Sequence, residues 1–528
     1  MIGFHARQRS LISIKELEKE DIEVAVQYVE PELGMEASDS GTRTAKPSSQ
    51  RRNLVMIYLL FLAEAIMASS LSAQVVVLVP ASAGCMGIEA SFLRSFFECA
   101  YFAGCTAGFL WGWCADRAGR RLVAMGGLSG MAVCCLGMGF ATSITSFAAL
   151  RFLAGVVSSA VTIAGLAMLA DITQGTKSRV AVVTRLPIIS LCGSAASFAA
   201  NAIRVWSDRW GFALFHRYPG LSSQLACSSL VCVLALAELV LLEETLPRSV
   251  ATDAYDCEKA ALLDDSDDLL TLAEALDDRS ATAMAGRLGT GQLINAPSIV
   301  MLLASFSILS LHSITFDELL PHISHNVSHA TGLGLPCSWV STIKLVIAFC
   351  AAVSVLHLVP RLIGRVGLLN GYRRTIWAFP ALYITIPLAG LAVGSTAAAS
   401  WLPALVAVLA MLVKAAIAGV AQVLALLLIL SAAPDTQSTG QTIGILSIAE
   451  LFKALSVGLS GLSYYLSDDL SMLALNSGSW GILAGFAVAG AIITRKLRET
   501  PRVGTDIPES CLTWQSIFDA DSETDAGS

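Results

Sequence analysis

A succession of apolar blocks limits this chain more than any other feature. Each is about as long as the roughly 20 residues a helix needs to cross a hydrocarbon core. Twelve can be marked: Leu54–Pro80, Phe92–Cys114, Leu122–Ala141, Ser146–Ala170, Leu186–Ile203 and Leu221–Leu242, then Pro297–Ile323, Trp339–Val359, Thr375–Val393, Leu402–Ser431, Gly440–Leu466 and Leu470–Thr494. Backbone amides in lipid have no water to bond, so a spanning segment is a helix or part of a closed barrel. A barrel requires short strands of alternating character, which the sequence lacks. The expected class is an all-α integral membrane protein with twelve transmembrane helices. Charge agrees: 14% of the 528 residues are Asp, Glu, Lys or Arg, where soluble domains carry about 25%.

A polar break divides the twelve spans into two groups of six. It predicts a tail over residues 1–53, a six-helix bundle over 54–243, an acidic linker over 244–296, a second six-helix bundle over 297–494 and a tail over 495–528. The linker contains "DDSDDLLTLAEALDD", Asp264–Asp278, too polar to build a core of its own. Basic residues mark the sides. Arg51 and Arg52 precede the first span; Arg117, Arg120 and Arg121, Lys177, Arg179 and Arg185, and Arg361, Arg365, Arg373 and Arg374 fill alternate loops; Arg495, Lys496 and Arg498 follow the last span. Such loops stay inside, so both termini are expected in the cytosol. Arg204, Arg209 and Arg217 break the rule between spans five and six, where a surface helix is expected. The sequon at Asn326–Ser328 falls on the outer side and makes Asn326 the glycosylation candidate. The plasma membrane is the expected location. "DSDDLL", Asp265–Leu270, has the form of an acidic dileucine signal and keeps the vacuolar membrane as an alternative.

Several function classes fall away. The formal net charge is −7 with no basic patch, so nucleic acid is not an expected partner. There is no P-loop, nucleophile elbow or metal-hydrolase pair, so neither an enzyme nor an ATP-driven pump is expected, and no cofactor. The 13 cysteines lack zinc-type spacing. Those in apolar runs, Cys134, Cys135, Cys192, Cys227, Cys232 and Cys350, read as small core residues. His312, His322, His325 and His329 gather around the outer end of span seven without a helical ligand pair, so no metal site is expected.

One short turn holds unusual charge for such a chain: "GWCADRAGRR", Gly112–Arg121, between spans two and three. Gly119 gives the turn its backbone freedom. Gly112 lets another helix backbone approach. Asp116 can pair with Arg117 or cap a neighbouring helix end, and Arg120 and Arg121 would hold the inner face. Gly-x-x-x-Asp-Arg-x-Gly-Arg-Arg resembles the loop signature of the major facilitator superfamily, matched at Gly112, Asp116, Arg117, Gly119, Arg120 and Arg121. The resemblance implies two pseudo-symmetric six-helix bundles with the substrate path between them. It also implies that the loop is a conformational latch, closed when the transporter opens outward. Weak, partly exposed ion pairs would suit that role. "GRVG", Gly364–Gly367, after span eight echoes "DRAG" after span two, as an internal repeat requires.

Span four carries Arg151 and Gly155 in an Arg-x-x-x-Gly pattern, which in drug:proton antiporters of this superfamily is linked to proton transfer. "ELLP" at the end of span seven and "LEETLPR", Glu243–Arg248, resemble a fungal and plant branch related to multidrug and zinc-induced-facilitator-like transporters. Span five departs from that pattern: "LPIISLCGSAASFAAN" keeps Pro187 and Gly193 but lacks the Gly-Pro pair.

Ionisable residues inside the spans are Glu64, Glu98, Arg151, Glu238, Asp317, Glu318, Lys344, Lys414, Glu450 and Lys453. Each is a functional candidate, because a charge in hydrocarbon costs several kcal/mol, about 2.5–3.5 at the least. Glu450 and Lys453 can neutralise each other at i and i+3. Glu238 and Lys344 lie near span ends and can snorkel. Glu64, Glu98, Asp317 and Glu318, with Arg151 biasing their protonation, form the expected proton and substrate pathway. The expected function is secondary transport of a small organic molecule by alternating access, with protons as the coupling ion and outward direction. A proton-coupled importer or facilitator is the alternative, and a non-transporting receptor or scaffold on the same fold is the alternative from another class.

Overall fold

The computed structural model describes residues 47–70, 88–173, 175–207, 212–246, 297–325, 337–394, 402–433, 438–466 and 472–497. All regular structure among them is helical. The first group contains α1 (Pro47–Ser69), α2 (Ile88–Cys105), α3 (Gly108–Ala118), α4 (Arg120–Phe140), α5 (Ile144–Ile172), α6 (Thr176–Val183), α7 (Leu186–Ser207), α8 (Ala213–Arg217) and α9 (Leu221–Leu241). The second contains α10 (Pro297–His325), α11 (Cys337–Val366), α12 (Leu368–Gly394), α13 (Leu402–Ala432), α14 (Thr439–Leu446), α15 (Ala449–Leu466) and α16 (Met472–Lys496). Among the described residues nine helical stretches are long and apolar enough to cross a membrane. They are α1, α4, α5, α6 with α7, α9, α10, α11, α13, and α14 with α15. The other three expected spans coincide with α2 plus α3, α12 and α16, which are helical.

Helix faces follow from what each side chain meets. On α9, Cys227, Val231, Leu234 and Glu238 are buried, while Val233, Leu236 and Val240 are exposed. That stripe faces the neighbouring helices, and the exposed apolar residues are suited to lipid tails. α5 is buried on most sides and is the central element of its group. Cys134, Cys135 and Cys227 are core residues as expected, but Cys192 and Cys232 are exposed and Cys350 is half-buried. A thiol is apolar enough to sit on a lipid-facing surface.

Two expected single helices are broken. Span two parts at Thr106–Ala107 into α2 and α3, with the Thr106 hydroxyl bonded to the Ala103 carbonyl at 2.7 Å. Span eleven parts at Ser447–Ile448 into α14 and α15, with the Ser447 hydroxyl on the Gly444 carbonyl at 2.6 Å. The breaks face each other: a Cβ on Gly108 would lie 2.7 Å from Ser447 Oγ.

The repeat is visible in the backbone. Gly119 is the sole residue between α3 and α4, and Gly367 the sole residue between α11 and α12. Their φ values are 107° and 80°, a region that favours glycine. In each group the fifth span opens with a separate helix of 8 residues, α6 or α14. In each group an arginine following the glycine joint binds carbonyls at the end of the last helix. Arg121 reaches Leu239 O at 2.7 Å; Arg373 reaches Thr494 O at 3.1 Å and Arg495 O at 3.3 Å.

Between spans five and six a short surface helix is present as expected, α8, in which Arg217 stacks 5.6 Å from the Tyr218 ring. The linker beyond Leu246, Asn326, His329 and the two leucines of "DSDDLL" lie outside the described residues.

Candidate functional site

At the loop end of the molecule the two groups of helices meet along α3 and α14. Both carry glycine where they cross. A Cβ on Gly112 would lie 2.2 Å from Gly440 O, and one on Gly444 would lie 3.0 Å from Gly108 O. Backbone-to-backbone contact brings Asp116 to the start of α14. Its Oδ1 accepts the Gly440 N–H at 3.0 Å and its Oδ2 the Gln441 N–H at 2.7 Å. First-turn amides have no partner within their own helix, and the positive end of the helix dipole favours an acid there. Asp116 is thus a helix cap supplied by the opposite group.

Arg120 locks this cap from behind. It is fully buried, bonds Asp116 at 3.5 Å and the Ala167 carbonyl at 3.3 Å, and forms an ion pair with Asp171 at the end of α5. Glu244, just past α9, accepts the backbone N–H groups of Arg120 at 3.1 Å and Arg121 at 3.0 Å, together with those of Thr245 and Leu246. The Thr245 hydroxyl donates to Asp171 Oδ2 at 2.9 Å. A Cβ on Gly119 would lie 2.7 Å from Glu244 Oε2, so glycine is needed there for space as well as for φ. Arg179 adds a second crossing, donating to Leu430 O at 3.0 Å.

Two expectations change. Of the two partners expected for Asp116, the structure selects the helix end, and Arg117 instead stacks 4.0 Å from the Trp113 ring. The pairs are not weak and exposed, because Asp116 and Arg120 are both buried. The glycine crossing excludes water from one side, and Asp171 and Glu244 wrap the other. Asp171, Glu244, Gly440 and Gln441 belong to this network and escape a reading of the loop alone. Asp171 had a signal, as the acid closing an apolar span.

Deeper in the first group, α2 and α5 also touch through glycines. A Cβ on Gly155 would lie 2.0 Å from Tyr101 O, and one on Gly104 would lie 2.1 Å from Phe152 O. This crossing gathers the expected pathway residues. Tyr101 donates to Glu64 Oε1 at 3.1 Å, and the Ser158 hydroxyl donates to the same oxygen at 3.2 Å. Arg151 is fully buried, lies 4.4 Å from the Tyr101 ring, donates to Ala68 O at 2.8 Å and Met67 O at 3.4 Å, and pairs with Glu98 at 3.7 Å. Glu64, Glu98 and Arg151 therefore share one cluster, and Arg151 pairs with Glu98, not Glu64. In span five, Gly193 approaches Leu62 O of α1 and Ser194 bonds Ser69 at 2.8 Å. Small residues provide the close packing there without a Gly-Pro pair.

The second group supplies its own charges. Lys453 bonds Glu450 at 2.6 Å, the neutral pair expected from their spacing. It also lies 5.8 Å from the rings of Phe102 and Phe306, on opposite sides of the boundary. Asp317 pairs with Lys414 at 2.6 Å, far along the chain from the Glu64 cluster. The side chains of Glu318, His322, His325 and Lys344 lie outside the described residues. His312 is buried against Tyr383 at 3.0 Å. Among the described residues no group of three or more His, Cys, Asp or Glu side chains could hold a metal. Glu238 does not snorkel: it is fully buried, and neither carboxyl oxygen has a hydrogen-bond partner among the described residues. Its place on the inward stripe of α9 turns it away from the interface.

A family model described as Major Facilitator Superfamily matches residues 54–452. The chain belongs to the major facilitator superfamily. This facilitator is 22% identical over 508 residues to the major facilitator superfamily multidrug transporter mfsB of Aspergillus fumigatus, covering 83% of this chain and 82% of that protein. Its fold is similar to the proton:xylose symporter XylE of E. coli bound to 6-bromo-6-deoxy-D-glucose, with TM-score 0.60 and 15% identity over 86% of this chain and 97% of that one. It is also similar to the human organic anion transporter MFSD10 (TETRAN), with TM-score 0.59 and 14% identity over 85% of this chain and 100% of that one. It is a multi-pass membrane transporter of the facilitator fold, not an enzyme.

Proposed function

We propose that this facilitator expels a small organic molecule in exchange for protons, by alternating access between its two six-helix groups. It does so in the plasma membrane, with both termini in the cytosol and Asn326 glycosylated outside. The observation that supports proton coupling is the setting of Glu64. It is held by the neutral donors Tyr101 and Ser158 and has no paired cation among the described residues, so either protonation state keeps a partner. Arg151 cannot lose its proton. It stands one ring away, over Tyr101, and changes the local field as the cluster opens to one side or the other. The Asp116 cap on α14 is the latch that closes the inner end, and its opening exposes the path to the cytosol. The multidrug transporter among the relatives supports organic cargo.

The test uses ethidium as probe in reconstituted vesicles with an imposed proton gradient. Ethidium moving against the proton flow supports exchange; ethidium moving with it favours the importer. Glu64→Gln should abolish gradient-driven accumulation and leave downhill movement within about twofold, since only the proton carrier is lost. Full accumulation in Glu64→Gln refutes the assignment. A wild type that moves none of a broad panel of organic cations, anions and sugars favours the receptor reading.

A further inference from the structure

The fourth and first spans of both groups are joined by a buried cation. In the first group Arg151 of α5 reaches the carbonyls of Met67 and Ala68 on α1 and pairs with Glu98. In the second, Lys414 of α13 donates to the carbonyl of Ser313 on α10 at 2.8 Å and pairs with Asp317 Oδ1 at 2.6 Å. The two differ in one chemical respect. A guanidinium stays charged in any protein setting, whereas an ammonium can give up its proton.

The second site is open on one side only. The Lys414 side chain is 1% exposed and that of Asp317 is 56% exposed. A carboxylate does not face hydrocarbon, so the open side of Asp317 meets a wet path. Phe316, buried, lies 5.0 Å from Lys414 Nζ. Around Lys414, α10 contributes Asp317 and His312, and α12 contributes Tyr383. α13 also packs on α11, α14, α5 and α6. Among described residues the titratable groups there are Cys350, His357, Arg361 and Arg365, Arg151 and Asp171, and Lys177 and Arg179, and of the described groups it is Asp317 that forms an ion pair with Lys414.

His312 is a neutral neighbour. Tyr383 Oη lies 3.0 Å from His312 Nδ1 and 3.4 Å from the His312 carbonyl. The other ring nitrogen, Nε2, is buried without a hydrogen-bond partner among the described residues, as is the Ser313 hydroxyl. Neither supplies negative charge. Among the described residues Lys414 thus depends on one carboxylate that the wet side can reach.

We infer that Lys414 and Asp317 form a second proton-exchange site, in which Lys414 keeps its proton only while the Asp317 carboxylate is free to face it. When a cationic group from the wet side occupies that carboxylate, the buried ammonium loses its counter-charge, and an unpaired charge in a low dielectric is costly. One N–H bond of Lys414 breaks, the electron pair stays on Nζ, and the proton leaves to water on the open side of Asp317. When the cation departs, Nζ takes a proton back. One cation in and one proton out is the stoichiometry of an exchanger. This rests on the transport reading above and adds a carrier that Arg151 cannot be.

The decisive measurement needs no cargo. The full-length chain, labelled with nitrogen-15 lysine and held in lipid nanodiscs at about pH 7, reports charged and neutral lysine amines separately by solid-state NMR. In wild type Lys414 is an ammonium. In Asp317→Asn, which keeps the side-chain shape, a neutral amine signal should appear. It should vanish in the double variant Asp317→Asn, Lys414→Met, which assigns it. An ammonium at Lys414 in folded Asp317→Asn overturns the inference. The second arm uses ethidium in vesicles. Lys414→Arg keeps the charge and cannot shed it, so gradient-driven accumulation should fall about tenfold in a variant that folds as wild type does. Unchanged accumulation in Lys414→Arg makes Lys414 a structural clamp like Arg151. If wild type moves no ethidium, the transport reading fails, and the NMR arm still decides the state of Lys414.

Discussion

Replacing Gly112 by alanine tests whether the seam between α3 and α14 is a backbone contact that the latch depends on. The added Cβ would lie 2.2 Å from Gly440 O, 2.9 Å from Gly440 C and 3.0 Å from Gly444 Cα. All three are backbone atoms, so no side chain can turn aside. Ordinary contact begins at 3.4 Å, and the helices must part by the difference between 2.2 and 3.4 Å. Such a step carries the Asp116 bonds to Gly440 and Gln441, now 3.0 and 2.7 Å, beyond bonding range. Hydrogen bonds to a charged group contribute about 1.5–3 kcal/mol each. α3 is a helix whether the seam is closed or parted, so the helix preference of alanine over glycine cancels between the two states. Loss of the two bonds shifts the balance by about 3–6 kcal/mol away from the closed seam, or roughly 100-fold to about 20,000-fold in population. Hydrogen exchange reads it directly, because the Gly440 and Gln441 amides are the ones Asp116 covers. A peptide spanning Ser438–Leu446 should exchange faster in Gly112→Ala, while one from α4 keeps its wild-type rate. Equal protection of Ser438–Leu446 in a well-folded variant would show that the seam accommodates a side chain and that the glycine argument is wrong.

Arg120→Ala should be harsher than Asp116→Asn, because it leaves Asp116 and Asp171 buried without their cation, a loss of about 3–5 kcal/mol. Thermal unfolding in detergent should rank wild type above Asp116→Asn above Arg120→Ala, and a reversed order removes Arg120 from the centre of the network. Glu243, at the exposed end of α9, is held below the usual carboxylate range by the Ser49 hydroxyl and then by Arg52. A lowered carboxyl stabilises the fold above its unfolded value, about 4.3, and the contribution is lost as pH falls through the lowered folded value. The melting difference between wild type and Glu243→Gln should therefore be the same at about pH 7 and pH 5 and close only in stronger acid, below the unfolded value; a gap that closes by pH 5 contradicts the assignment.

Much of the architecture is legible because lipid leaves the backbone few options. Block length gave the helices, and the glycine in each short loop gave the joints that Gly119 and Gly367 make. The breaks at Thr106 and Ser447 were not legible, since each lies inside an apolar run and arises where two helices from different groups press together. The loop motif left Asp116 either Arg117 or a helix end as its partner and did not say which helix, because Gly440 and Gln441 look like ordinary helix-start residues and lie more than three hundred positions away. Arg120 read as a surface charge because its burial depends on Asp171 and Glu244, which long-range packing delivers. Arg151 and Glu98 were legible as embedded charges, and the choice of Glu98 over Glu64 as its partner was not.

The one-residue joints at Gly119 and Gly367 have a mechanical consequence. A connection with a single non-helical residue has no slack, so it cannot stretch, coil or lag behind the helices it joins. α3 with α4, and α11 with α12, must each turn as a stiff hairpin. α4 has 21 residues, or about 30 Å at the rise of an α-helix, while the contact with α14 reaches from Asp116 back to Gly108, about one to three turns from the Gly119 joint. An ångström of displacement beside the joint is a short-arm movement on a long lever, and its far end travels several times as far. Loosening either joint with inserted residues would leave every helix folded and every charge in place, yet the stroke would be absorbed in the loop instead of reaching the opposite face.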